Sequence, residues 1–168
     1  MQSLNQPTQR AWLLSFSPDF QAAVGYHEMS QVIMSPTLFP IATAPDYCCE
    51  LMIMQQQILP IMNIRKLLAP QQNYLDIQSH PIIGIALYQN KNNGKVQSIG
   101  MQLNESPKLI NVSDEQACDL PDEADIGYAP RWADFSLSCF LHQDKKIPIL
   151  NIAYLFSRQF RQKIQNEL

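Results

Sequence analysis

The chain has 168 residues, 46% hydrophobic and only 16% charged, with a net charge of −3 and a pI near 5.5. That length suits one domain or two small subdomains packed together. The acidic balance without a Lys/Arg run excludes a phosphate-backbone binder, no apolar run nears the ~18 residues of a membrane span, and the opening Met-Gln-Ser-Leu-Asn-Gln-Pro has neither region of a secretory signal.

The first predicted element is a strand-like run, Ala11 to Phe16. More short runs follow at Ala22 to Tyr26 and Ser30 to Met34, set off by turn formers at Ser17-Pro18-Asp19 and Ser35-Pro36. Met52 to Leu59 reads as a strand leading into Pro60, and proline is tolerated near a strand start or on an edge. Asn63 then stands where an N-cap belongs, ahead of a helical turn fixed to the core by Leu67 and Leu68. Gln71 to His80 has few core residues and reads as a linker.

The second half opens with the apolar run Ile82 to Leu87. Asn93-Gly94, inside the turn-forming stretch 90–94, predicts a tight hairpin. Runs at Lys95 to Leu103 and Leu109 to Val112 flank the turn Glu105-Ser106-Pro107. Ser113 to Pro130 is acidic and reads as a loop, or as a short helix begun at Ser113 and followed by a loop. Phe135 to Leu141 predicts a strand, and Asn151 a second N-cap ahead of Leu155-Phe156. In the tail, 152–168, Phe156, Phe160, Ile164 and Leu168 recur every four residues and predict one amphipathic helix docked on the body of the protein. Many short strands with frequent turns point to small barrels or sandwiches.

One pattern occurs twice. Residues 59–68 read Leu-Pro-Ile-Met-Asn-Ile-Arg-Lys-Leu-Leu, and residues 147–156 read Ile-Pro-Ile-Leu-Asn-Ile-Ala-Tyr-Leu-Phe, at a constant offset of 88. Two copies so far apart indicate a duplicated small unit, not a solenoid.

Chemistry-bearing residues are scattered. His27, His80 and His142 lack metal-ligand spacing, the acidic residues of 114–125 fit no EF-hand, and five glycines supply no phosphate-cradling loop. Cys48, Cys49, Cys118 and Cys139 contain no C-x-x-C pair and read as reduced thiols of a cytoplasmic protein. The sequence therefore predicts no catalytic centre, no metal site and no cofactor. Met52, Met54 and Met62 read as core filler or as part of an adaptable binding surface.

Around Ala44-Pro45, and then from Glu50 through Leu68, the chain resembles the CheW-like family. The similarity runs from about Arg10 to Phe156 and takes in Ile99-Gly-Met-Gln-Leu-Asn104 and the closing Ile147-Pro-Ile-Leu-Asn-Ile. It implies a mainly β fold: two small five-stranded SH3-like β-barrels packed together, with short helices and a C-terminal amphipathic helix. A single domain over 10–157 would hold a first barrel at about 11–70 and a second at about 80–157, with strand exchange between them allowed. Family members are adaptors that couple methyl-accepting chemoreceptors to a CheA-type histidine kinase, in chemotaxis or in type IV pilus and twitching systems. The resemblance thus implies those protein partners, no nucleic acid, no membrane insertion and a cytoplasmic location. By position it also implies a protein-binding surface of Met29, Gln31, Glu50, Gln55 and Leu109.

The departures are specific. The family's N-L-R-G is replaced by Ile53-Met-Gln-Gln56, and its Glu/Arg pair by Gln31 and Gln55. Removing one partner would leave a charge unpaired; replacing both avoids that and allows a neutral Gln31–Gln55 hydrogen bond. Family glycine positions hold Glu50 and Gln56, which implies altered turns if those backbones need φ > 0. The alternative reading is a divergent CheW-like regulator that has lost array coupling and binds another signalling or pilus-system component.

Overall fold

The computed structural model describes residues 7–69, 80–122 and 131–167. The expected linker, apart from His80, and the 123–130 part of the acidic stretch lie outside the described residues, as do Leu168 and the side chain of Ile164.

The chain is mainly β. Strands β1 (Gln9–Ser17), β2 (Phe20–Gly25), β9 (Lys108–Val112), β10 (Ser136–His142) and β11 (Lys145–Leu150) form one sheet in the order β10-β11-β2-β1-β9. Strands β3 (Met29–Met34), β4 (Phe39–Pro40), β5 (Glu50–Met54), β6 (Gln57–Met62), β7 (Ile82–Gln89) and β8 (Val96–Leu103) form the other, in the order β3-β7-β8-β6-β5-β4. Both sheets curl closed. In the second, the chain beyond β3 returns as the two-residue β4 and pairs with β5, a sixth strand beyond the five expected. In the first, the chain beyond β9 returns at Ala117, which bridges to Phe140 of β10.

The strands are shared between the barrels across the 70–79 segment instead of being divided by it. β1 and β2 join β9–β11, whereas β7 and β8 join β3–β6. The repeated motif explains this layout. Its two copies, β6 and β11, occupy the same place in different barrels. β6 pairs in parallel with β8 at Ile61↔Gly100, and β11 pairs in parallel with β2 at Ile149↔Ala23. Ile61 and Ile149 are 88 residues apart.

The apolar runs that open each half, β1 and β7, are buried on both faces. Ala11 and Leu13 enter the first barrel with Ala23, Phe140 and Ile147. Ile83 and Ile85 enter the second with Met52, Leu59 and Ile61. The alternate residues, Leu14 and Phe16 on β1 and Ala86 on β7, pack in a third core between the barrels. A strand with no solvent face loses the polar half of its alternation. Helices α1 (Ile64–Leu68), α2 (Trp132–Phe135), α3 (Ile152–Leu155) and α4 (Arg158–Glu167) add Leu67, Trp132, Leu155 and Phe160 to that third core.

Both N-caps form. Asn63 Oδ1 accepts from Lys66 N at 2.9 Å, and Asn151 Oδ1 accepts from Tyr154 N at 3.1 Å. Other expectations need correction. The single strand read over Met52 to Leu59 is two strands, β5 and β6, because Gln55 (φ 49) and Gln56 (φ 65) reverse the chain between them. Their counterparts 88 residues on, Gln143 (φ 49) and Asp144 (φ 61), do the same between β10 and β11. Of the two positions matched to family glycines, Gln56 therefore holds a positive φ, the region that favours glycine, and Glu50 does not. The hairpin at Asn93-Gly94 is not a two-residue turn: Gln89 pairs with Val96, and Asn90 N donates to Lys95 O across the loop. The tail is two helices, not one. Ser157 Oγ accepts from Phe160 N at 3.1 Å and starts α4 afresh. Phe156 consequently stacks on Tyr88, with ring centroids 5.3 Å apart, while Phe160 packs edge-on to Phe135 at 5.7 Å.

Candidate functional site

β3 and β9 are sheet edges, and both lie beside strands that run through the interior. β3 pairs with β7 on one side only, so Val32 and Met34 stay exposed, Met34 at 60%. Between β3 and the Ser106-Pro107 turn opens a groove of about 500 Å³. Its walls are Trp12, Met29, Ser30, Gln31, Val32, Met34, Ser106 and Pro107, with no ionisable side chain among them.

Trp12 forms a rigid part of this wall. Its Nε1 donates to Tyr26 O at 3.2 Å, and its ring stacks on Tyr26 at 5.9 Å. Arg10 also lies over Tyr26, with its guanidinium carbon 4.0 Å from the ring centroid. Leu109, 48% exposed, is directly opposite Trp12 in the β1–β9 ladder, and directly opposed residues share a face. It therefore lies beside the Trp12 wall without lining the groove itself. Outside Pro107, Lys108 and Glu105 form an exposed ion pair at 3.5 Å.

Of the five residues singled out by resemblance, the groove gathers Met29 and Gln31, with Leu109 flanking it. Gln55 sits at the exposed tip of the β5–β6 hairpin and lines a separate hollow with Ile33, Phe39 and Met54. Glu50 stands at the other end of β5, roughly 17 Å away at strand rise. It lines a polar hollow of about 370 Å³ with Asp46, Tyr47, Asn63, Lys66 and Gln102. Gln31 and Gln55 do not bond to each other. Gln31 Nε2 lies instead 3.2 Å from Met54 Sδ, a weak acceptor. The expected amide pair is absent because the hairpin presents Met54, not Gln55, to β3.

Sequence reasoning missed Trp12, Val32, Met34 and Pro107 as wall residues. A signal for Trp12 existed: it occupies the face of β1 shared with the deeply buried Leu14, yet its own polar indole nitrogen needs a partner at an edge.

Burial pushes the Tyr47 phenol up, as does the neighbouring Cys48. Burial likewise raises the Cys48 thiol, with Cys49 beside it. A raised thiol is less nucleophilic at neutral pH. No group of three or more metal-ligating side chains is found among the described residues, and no described helix is long and apolar enough to cross a membrane.

No protein-family profile matches the chain, and no curated protein matches it by sequence. By structure, it is similar to the scaffolding protein TtCheW from Thermoanaerobacter tengcongensis, with a TM-score of 0.66 over 90% of this chain and 94% of that one, at 12% sequence identity. The fold is CheW-like. The CheW-like architecture accounts for the placement of the groove: two closed barrels back onto one shared core, and the edge strands of both meet beside Trp12.

Proposed function

We propose that this chain is a non-enzymatic CheW-like adaptor that couples chemoreceptors to a CheA-type histidine kinase in the cytoplasm, in chemotaxis or in type IV pilus and twitching control. The observation that carries this reading is the uncharged groove bounded by Trp12, Gln31 and Met34. An apolar floor with amide and hydroxyl rims and a fixed aromatic wall is the anatomy of a protein-docking surface. It offers no base, metal ligand or activated nucleophile with which to do chemistry.

The test is titration calorimetry of the full chain against a chemoreceptor cytoplasmic tip and, separately, a CheA regulatory domain. Micromolar binding to at least one is expected, and Met34→Glu, at an exposed position, should weaken the groove-dependent contact by about tenfold or more. No binding to either partner at tens of micromolar would overturn the reading.

A second reading is favoured by one contact. Gln31 engages Met54 and leaves Gln55 without it, so the polar link characteristic of the resemblance is missing. A regulator released from array coupling, binding another signalling or pilus-system component, accommodates that change. Under this reading Gln31→Glu combined with Gln55→Arg creates receptor or kinase binding that the native chain lacks; no gain counts against it.

A further inference from the structure

The first barrel closes along a seam where the chain beyond β9 returns onto β10. Three contacts hold it. Gln116 Nε2 donates to Leu141 O at 2.9 Å, Ala117 bridges to Phe140, and Cys118 N donates to Cys139 O at 3.0 Å. The bridge and its register make Cys118 and Cys139 a directly opposed cross-strand pair. Their sulfurs are 3.5 Å apart. Opposed residues across an antiparallel pair have Cα atoms about 4.5–5.5 Å apart, inside the range that a disulfide spans. The second barrel closes in the equivalent place without an opposed thiol pair, through Phe39 paired with Leu51 and Ile41 N donating to Cys49 O. Closure alone therefore does not require the cysteines.

We propose that Cys118 and Cys139 form a reversible disulfide that staples the seam of the first barrel. The oxidant is a low-molecular-weight disulfide such as oxidised glutathione. Cys118, the more exposed of the two, loses its proton to solvent and attacks a glutathione sulfur, expelling one glutathione thiolate. Cys139 then loses its proton and attacks the Cys118 sulfur of the mixed disulfide, expelling the second. The two cysteines give up two electrons and two protons in all, and the oxidant becomes two thiols. The order of attack follows from burial. Cys139 is 2% exposed, and burial, together with its hydrogen-bond contact to Cys118, pushes its thiol up to about 12.

The seam leads directly from β9, so the staple would fix the edge strand that carries Leu109. The vicinal pair provides an internal control, because Cys49 Sγ is directed to Asp46 O and not to its neighbour's sulfur.

The test equilibrates the full chain with glutathione redox buffers, blocks remaining thiols with N-ethylmaleimide and maps the peptides by mass spectrometry. A Cys118–Cys139 linked peptide is expected, with Cys48 and Cys49 alkylated. The oxidised protein should melt about 6–12 °C higher than the reduced one, as closing a loop of about 20 residues implies. Dithiothreitol should abolish the shift. Cys118→Ser should melt with the reduced wild type and show no shift on oxidation. Four alkylated cysteines in every buffer, a link elsewhere, or a linked peptide without a rise in melting temperature would each overturn the proposal.

Discussion

Gln56→Gly should stabilise this protein, although it removes a side chain. Gln56 holds φ 65 at the second central position of the β5–β6 turn, after Gln55 at φ 49. A left-handed backbone costs an L-residue about 1–2 kcal/mol because Cβ crowds the following carbonyl. Glycine avoids that cost but returns roughly 0.5–1 kcal/mol in lost chain entropy. Gln56 is exposed, and its side chain contributes nothing that offsets its removal. The net gain is about 0.5–1 kcal/mol, or a melting rise of roughly 1–4 °C for a chain of this size. The equivalent turn supplies the control. Asp144→Gly relieves the same geometry at φ 61, but aspartate tolerates this region better than glutamine. Its gain should therefore be smaller than that of Gln56→Gly. Urea denaturation with unchanged m-values measures both. A loss of stability at position 56, or a larger gain at 144 than at 56, would refute the reasoning.

The caps, the barrel interior and one half-buried carboxylate give further tests. Asn63→Ala should cost about 1–2 kcal/mol by urea unfolding, because it removes both the cap to Lys66 N and the 3.2 Å contact from Asn63 Nδ2 to Gln102 Oε1. Asn63→Asp should stay close to wild type, since it keeps the acceptor that the cap needs and Gln102 can turn its amide to donate. Gly100→Ala should cost roughly 1–3 kcal/mol, since a Cβ there runs into Ile61 Cδ1 and Ile83 Cγ2; pairing it with Ile83→Ala should show favourable coupling in a double-mutant cycle. Glu28 has its carboxyl raised above the ordinary 4.5, mainly by burial and despite the hydrogen bond from Gly25 N. A raised acid stabilises the fold fully below its unfolded value and loses that contribution as pH rises through its folded value. Glu28→Gln should therefore gain relative to wild type as pH climbs past 4.5, read from melting temperatures across that window.

Much of the fold is legible where one local rule decides it. The repeated Pro-Ile-x-Asn-Ile announces both closing strands and both caps, because proline, a buried isoleucine and an amide cap are each short-range requirements. The β5–β6 turn was hidden for the opposite reason. Two glutamines carry no turn signal, and only the pairing of Met54 with Gln57 forces the left-handed backbone on them. The tail broke where a serine side chain outcompeted an unbroken four-residue stripe. The groove was half legible. Met29, Gln31 and Leu109 come from resemblance, but Trp12 joins them only through the ladder that sets β1 against β9, a contact nearly 100 residues apart in sequence.

The duplication also leaves the two barrels free to differ in their interiors and edges. In the first barrel, the β1–β2 ladder sets Ala11 against Gly25 and Leu13 against Ala23, so each pair contains a small residue. In the second, the corresponding ladder sets Ile83 against Gln102 and Ile85 against Gly100, and the missing Cβ of Gly100 leaves room for the Ile61 and Ile83 side chains. Each barrel thus reaches full packing by its own distribution of volume, so neither interior constrains the other's surface. What the copies must share is the strand, turn and cap that close each unit. Their edges are free to differ. One return segment carries Phe39 against Leu51, and the other carries Cys118 against Cys139. The retained motif accordingly marks the scaffold, while the return segments at the edges are where the two copies diverge.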